Sequence, residues 1–298
     1  MKGFALVLLC AVAASQARST GVEIGREAAS LGENPWLVHL RLAVTNSGGL
    51  LNSCIGSLVD PRWVLTSASC VNSVNFVWIR YGAVDVFTPE LVTEGGAAAG
   101  HLVQRHPQYD PVTGANDIAL IRVNRYVLNP PSANIAVVEL AAADAEVPSS
   151  GKVCTYGADA DGAAGEFLSC VDADVSTDDD GVISADAEST IFDLGSPLVK
   201  DGVQYGILTR AGDSSSFINP AAYRDWIEQT AEIQLPGGDN NGDDSDGNGD
   251  DSDDNGDDSD DNGDDSDDNG DDSDDNGDDS NDSDDSEDSE GLKINFVN

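Results

Sequence analysis

Basic side chains are scarce in this sequence: 14 Lys and Arg face 56 Asp and Glu, a formal charge of -42 over 298 residues. That imbalance excludes nucleic acid and anionic membrane surfaces as partners and favours cations or basic proteins. Long apolar runs are also missing. Only Phe4 to Ala14 is continuously apolar, too short to cross a bilayer, so no membrane span is expected. Three His and five Cys occur in all, and cysteine intervals of 16 do not fit the short pairs of a zinc site.

Residues 1–17, "MKGFALVLLCAVAASQA", place a Lys near the start, then the apolar run, then small Ser15 and Ala17 where a signal peptidase cuts. They read as a secretory signal peptide and predict a secreted, extracellular protein. Removal of Cys10 with the signal leaves Cys54, Cys70, Cys154 and Cys170, an even number that implies two disulfides in an oxidising compartment. Spacing alone permits three connectivities.

The region 18–236 reads as one globular domain. Short apolar runs ("PWLVHLRLAV", "FVWIRYG", "DIALIRV", "QYGILTR") alternate with Gly, Pro, Asn and Asp clusters, which predicts an all-β sandwich or barrel. A single helix is expected near its end. Asn219 caps it, Pro220 suits its first position, and Tyr223, Trp226, Ile227 and Ala231 share one face before Pro236, Gly237 and Gly238 stop it.

Residues 237–290 are different material. Positions 239–290 hold 28 of the 56 acidic side chains with no Lys or Arg, and "DDSDDNG" repeats four times from Asp250. With no apolar side chain to bury, this tail is expected to be disordered and extended by self-repulsion. The last residues, 291–298, form a short apolar C-terminus carrying Leu292, Ile294, Phe296 and Val297.

Three stretches, "SCIGSLVDPRWVLTSASC", "HPQYDPVTGANDIALIRV" and "FDLGSPLV", resemble in order the landmark regions of the trypsin/chymotrypsin-like serine peptidases. The resemblance covers roughly residues 22–235. It implies two six-stranded antiparallel β-barrels with a C-terminal helix, in agreement with the all-β reading. In that family a serine oxygen attacks a carbonyl, a histidine takes its proton, an aspartate orients the histidine, and backbone N–H groups hold the oxyanion.

Carried over position by position, Asp117 matches the family aspartate, but the histidine position holds Ser69 and the nucleophile position holds Leu194. Phe192 stands at the oxyanion-hole glycine, and Ser196 replaces the second glycine after the nucleophile position. Restoring a histidine at position 69 alone would leave no group able to add to a carbonyl. Glu188 aligns with the base of the specificity pocket, and Arg210 with a tryptophan beside it. Thr190 and Lys200 replace two family cysteines. The activation sequence is absent: Val22 follows Gly21 without a basic residue at the cut, and cleavage after Arg18 would expose Ser19. On this reading Asp193 loses its usual partner, the new N-terminal amine. The resemblance pairs Cys54 with Cys70 and leaves Cys154 for Cys170.

The expected function is therefore that of a catalytically inactive homologue acting by protein binding, as a decoy, scaffold or cofactor in an extracellular peptidase pathway, with no required cofactor. The tail repeats the D-x-D-x-N-G opening of calcium loops: Asp251, Asp253 and Asn255, then Asp258, Asp260 and Asn262, Asp265, Asp267 and Asn269, and Asp272, Asp274 and Asn276. No closing Glu stands at loop position twelve, so weak, multiple calcium sites or basic-partner binding are expected there, or a solvated spacer. A calcium-buffering or mineral-associated protein is the alternative function, and an active endopeptidase a distant one.

Overall fold

The computed structural model describes residues 26–44, 51–96 and 103–237. The signal region, the cleavage residues 18–22, His101, the acidic tail and the apolar C-terminus lie outside the described residues.

Strands dominate. In chain order they are β1 (Glu27–Ala28), β2 (Leu37–Val44), β3 (Leu51–Asp60), β4 (Trp63–Thr66), β5 (Val74–Tyr81), β6 (Leu91–Gly96), β7 (Val103–Arg105) and β8 (Ala119–Arg122). Then come β9 (Glu139–Leu140), β10 (Ser150–Thr155), β11 (Ser169–Thr177), β12 (Ile183–Ala185), β13 (Pro197–Lys200), β14 (Val203–Arg210), β15 (Ser215–Ile218) and the helix α1 (Arg224–Ala231).

Two sheets result. The first runs β6-β5-β2-β3-β4-β8-β7. It has seven strands and an open path among the described residues, where a closed six-stranded barrel was expected; the connection from β6 to β7 passes through residues 97–102, which are not described. The second sheet closes: β11, β10, β13, β14, β15 and β12 pair in turn, and β12 returns to β11. Short β1 and β9 add to its outside.

Period-2 alternation explains which side chains meet. Along β2, Val38, Leu40 and Leu42 enter the core of the first sheet with Val77, Ile79 and Ile121. The opposite face of β2 is covered by the second sheet, so Leu37 packs against Cys154 and Tyr156. Between the sheets Val59, Trp63, Leu120, Val199 and Ile207 form a shared cluster with Ile227, Ala231 and Leu235 of the C-terminal segment. A buried Ser57 hydroxyl also donates across this seam to Gln204 Oε1 at 2.7 Å.

The C-terminal segment differs in detail from expectation. Asn219 caps as predicted, its Oδ1 accepting the Ala221 N–H, but the first turn, Pro220–Tyr223, is 3-10. The helix then ends at Ala231, five residues before Pro236, because Glu232 turns left-handed (φ 55) and its N–H closes on the Glu228 carbonyl. That reversal brings Leu235 into the shared cluster.

Both expected disulfides are present. Cys154 and Cys170 face each other across β10 and β11, Cα atoms 4.0 Å apart, and Cys54 joins Cys70 over 6.2 Å. Each contributes about 2–4 kcal/mol by restricting the unfolded chain.

Candidate functional site

Ser69, Asp117 and Leu194 sit in connections at the seam: after β4, before β8 and before β13. The Asp117 carboxylate is buried, and its Oδ1 accepts the Ser69 N–H at 2.6 Å. Burial pushes its pKa up, while the Ser69 donors and the Ala68 N–H oppose that rise. The Ser69 hydroxyl lies 3.2 Å from the Ser67 hydroxyl, which in turn accepts the Cys70 N–H. Asp117 is thus held by the N–H groups of Ala68 and Ser69 and by the Ser69 hydroxyl, at the place where the resemblance puts an imidazole.

Leu194 has become packing. Its side chain lies half-buried against the core of the first sheet, in the same cluster as Ala68, Cys70 and Tyr109. Its carbonyl accepts the Ile55 N–H at 3.0 Å, a bond from β3 to the loop before β13. The next residue must be glycine. Gly195 has φ +87, and a Cβ there would fall 2.2 Å from both the Ile55 carbonyl and Thr66 Oγ1. Ser196, in the position of a family glycine, is fully buried and donates its hydroxyl to the Cys154 carbonyl at 2.7 Å.

The same loop closes on itself. Thr190 donates both its N–H (2.8 Å) and its hydroxyl (2.7 Å) to Asp193 Oδ2. Its Oγ1 accepts the Phe192 N–H at 3.3 Å, so the donor standing at the oxyanion-hole position is turned into its own loop. Asp193 Oδ1 accepts the N–H groups of Tyr156 at 3.0 Å and Gly157 at 2.9 Å. Asp193, expected to lose its usual N-terminal partner, thus has donors from its own loop and from the end of β10; the residues 18–22 that would supply that amine lie outside the described residues. Four donors surround a fully buried carboxylate, and an N-terminal ammonium is not needed to neutralise its hydrogen-bonding demand.

The pocket-base position, Glu188, is solvent-exposed. Its carbonyl instead accepts from the Arg26 guanidinium, which also reaches the Ser169 carbonyl at 3.3 Å and ties the segment before β1 to this loop. Arg210, at the exposed end of β14, spans to the loop 107–116, with Nη2 3.5 Å from the Thr113 carbonyl. His106 lies edge-on to Tyr223 and Trp226. His39 is 2% exposed, edge-on to Tyr156 at 5.0 Å, and its Nδ1 has no hydrogen-bond partner among the described residues. Burial first, then Arg80 and Arg41, pushes its pKa down to about 3.

Thr190, Tyr156, Gly157 and Arg26 were missed as site residues. Only Thr190 left a trace in the sequence, as a hydroxyl where the family has a cysteine; the others act through backbone groups or long reach. No cluster of three metal-ligating side chains exists among the described residues. The tail positions from Asp251 to Asn276 lie outside them.

Comparison with known proteins agrees with the fold. The trypsin family model matches residues 23–227. The sequence is similar to brachyurin of Leptuca pugilator, 29% identical over 203 residues that cover 60% of this chain and 88% of that protein. It is also similar to trypsin of Squalus acanthias, 26% identical over 222 residues covering 66% and 90%. Among solved structures, HL collagenase superposes with a TM-score of 0.63 at 22% identity, over 72% of this chain and 100% of that one. Human heparin binding protein does so at 0.59 and 22%, over 72% and 99%. At such identities these two establish likeness of fold.

Proposed function

The chain belongs to the trypsin family of serine peptidases, and from that premise we propose that it is a non-catalytic member working outside the cell by binding protein partners. The observation that carries this reading is the joint state of three positions. Ser69 replaces the base, Leu194 the nucleophile, and Phe192 the oxyanion glycine, with the Phe192 N–H bonded to Thr190. Acyl transfer needs a nucleophile, a base beside it and donors aimed at the developing oxyanion. Here the first is hydrocarbon, the second a hydroxyl, and the third is engaged elsewhere.

Two disulfides fit an oxidising compartment, and no described helix is long and apolar enough to cross a membrane. One protein of the same fold is described as heparin binding, so this scaffold is used for binding. A formal charge of -42 opposes a polyanion here, which favours protein partners of a pathway in which related peptidases act. Incubation with peptide substrates and a serine-reactive fluorophosphonate probe tests the proposal. No turnover and no label within residues 22–235 is expected; a labelled serine in that range overturns it.

A second reading is favoured by the repeated D-x-D-x-N-G segments, with calcium or a basic partner held by the tail. Calorimetric titration of calcium into the full chain and into a chain lacking residues 239–290 separates the two readings. Loss of most of the calcium capacity on deletion is expected; unchanged capacity removes the tail from calcium binding.

A further inference from the structure

Two cavities of this domain bring acids and bases together, and they differ in what the charges do. In the one beside β1 and β11, Lys152 and Glu33 close on each other at 2.8 Å and satisfy one another. The other, of about 310 Å3, lies where β4, β8 and the end of α1 meet, and its size is at the lower end of small-molecule sites. Arg62 and Arg122 line it together with Asp60 and Glu232, yet no ion pair joins these four among the described residues. Opposite charges that share a cavity without pairing leave both signs available to a ligand.

The walls hold these groups in place. Buried Trp63 stands opposite Arg122 in the β4–β8 register, and its Nε1 donates to the Ala231 carbonyl at 3.1 Å, which fixes the end of α1 against the strands. The Arg62 guanidinium lies over the Tyr126 ring, 5.1 Å from its centroid, and the Arg62 N–H donates to Asp60 Oδ1 at 2.8 Å. Stacking restricts the guanidinium plane, so little freedom is lost when it takes a carboxylate. Arg62 is set apart from the other arginines by its Nε, which is buried and has no partner among the described residues. Buried donors of that kind are few in folded proteins, and each calls for an explanation.

The opposite pole is negative. Helix α1 ends at Ala231, and the residues around that end, Thr230 to Ile233, form one side of the cavity. The C-terminal end of a helix carries partial negative charge, to which the exposed Glu232 carboxylate adds a full one.

We propose that this cavity binds a compact zwitterion: an amino acid or dipeptide with a free ammonium, a free carboxylate and an apolar side chain. Arg62 and Arg122 take the carboxylate, Glu232 and the negative end of α1 take the ammonium, and the Trp63 and Tyr126 rings receive the side chain. Asp60 and Glu232 oppose a simple anion, and the two arginines oppose a simple cation, so a ligand carrying both charges is the one that every wall favours. None of the cavity's residues is a triad or oxyanion position, so the proposal stands independently of the non-catalytic reading.

Ligand-observed nuclear magnetic resonance titrations of the full-length protein provide the test, with leucine, Ala-Leu, N-acetyl-Ala-Leu and the Ala-Leu amide as probes. Ala-Leu is expected to bind about tenfold more tightly than either blocked form, the range of one charge-assisted contact. Binding of leucine as well as Ala-Leu places the site at single-residue size. Arg62→Gln is expected to abolish the preference for the free acid over the amide and to keep the preference for the free amine; Glu232→Gln does the reverse. Circular dichroism checks the fold of each variant, and Arg122→Gln, at an exposed position, repeats the first arm should Arg62→Gln fail to fold. Equal binding of Ala-Leu and its N-acetyl form would make this an anion site and overturn the proposal. Equal binding of the amide, no binding of Ala-Leu, or preferences that survive both substitutions overturn it as well.

Discussion

Replacing Asp193 with Ala is expected to destabilise the domain by about 3–5 kcal/mol, a large fraction of the stability of an ordinary domain. The carboxylate is fully buried and accepts from Thr190 twice and from Tyr156 and Gly157 once each. Alanine leaves the backbone N–H of Tyr156, itself buried, without an acceptor and strands those of Gly157 and Thr190 in partly buried positions. A buried donor left without an acceptor costs about 1–3 kcal/mol. The Thr190 hydroxyl can rotate elsewhere and adds little. Asp193→Asn should fall between the two, because one amide oxygen still accepts while its NH2 group faces the Thr190 donors. Urea unfolding of the three proteins measures the effect as a shift of the midpoint at constant slope. A midpoint unchanged in Asp193→Ala would mean that the four bonds do not hold the loop.

That carboxylate also marks how far the sequence could be read. The strands were visible because apolar residues alternate, as in Val38, Leu40 and Leu42, and because period 2 fixes one buried face. The positions of Ser69, Asp117 and Leu194 were visible because flanking residues keep the family pattern even where the chemistry has changed. The partners of Asp193 were not, since backbone N–H groups 36 and 37 residues away carry no residue-type signature. The end of α1 was hidden for a similar reason. Glu232 adopts a left-handed turn that a glutamate does not advertise, and the visible stop signals at Pro236 and Gly237 lie beyond it. The second face of β2 was the deepest omission. "VHLRL" reads as one apolar and one polar face, yet the polar face at His39 is roofed by Tyr156 from the other sheet, a contact set by tertiary packing alone.

That roofed histidine gives the second large expected effect, a loss of stability in mild acid. His39 is nearly inaccessible, Arg80 lies opposite it on β5, Arg41 follows two residues along the same face, and Tyr156 covers it; no carboxylate is among the groups that set its charge. Its folded pKa of about 3 lies below the ordinary 6.5, so the folded state favours the neutral ring. The unfolded chain binds a proton on this ring once the pH drops below about 6.5, and the folded chain does not until about 3. Stability from this group is therefore complete above pH 6.5 and falls with pH through that window, by at most about 1.4 kcal/mol per pH unit. Over the whole window the loss is about 3–5 kcal/mol. Carboxylates titrate in the same range, with Glu33 and Glu90 depressed and Asp117 raised, so the diagnostic quantity is a difference between proteins. In His39→Gln the residue cannot take up a proton, and its urea midpoint should fall less steeply than wild type between pH 6.5 and 4, whatever the baseline stability of the variant. Parallel pH profiles would show that the ring finds a partner when charged. Because Tyr156 both covers His39 and donates its N–H to Asp193, the strain of charging this ring is applied to the loop that carries Phe192 and Leu194. Acid should therefore loosen that loop before the rest of the domain unfolds.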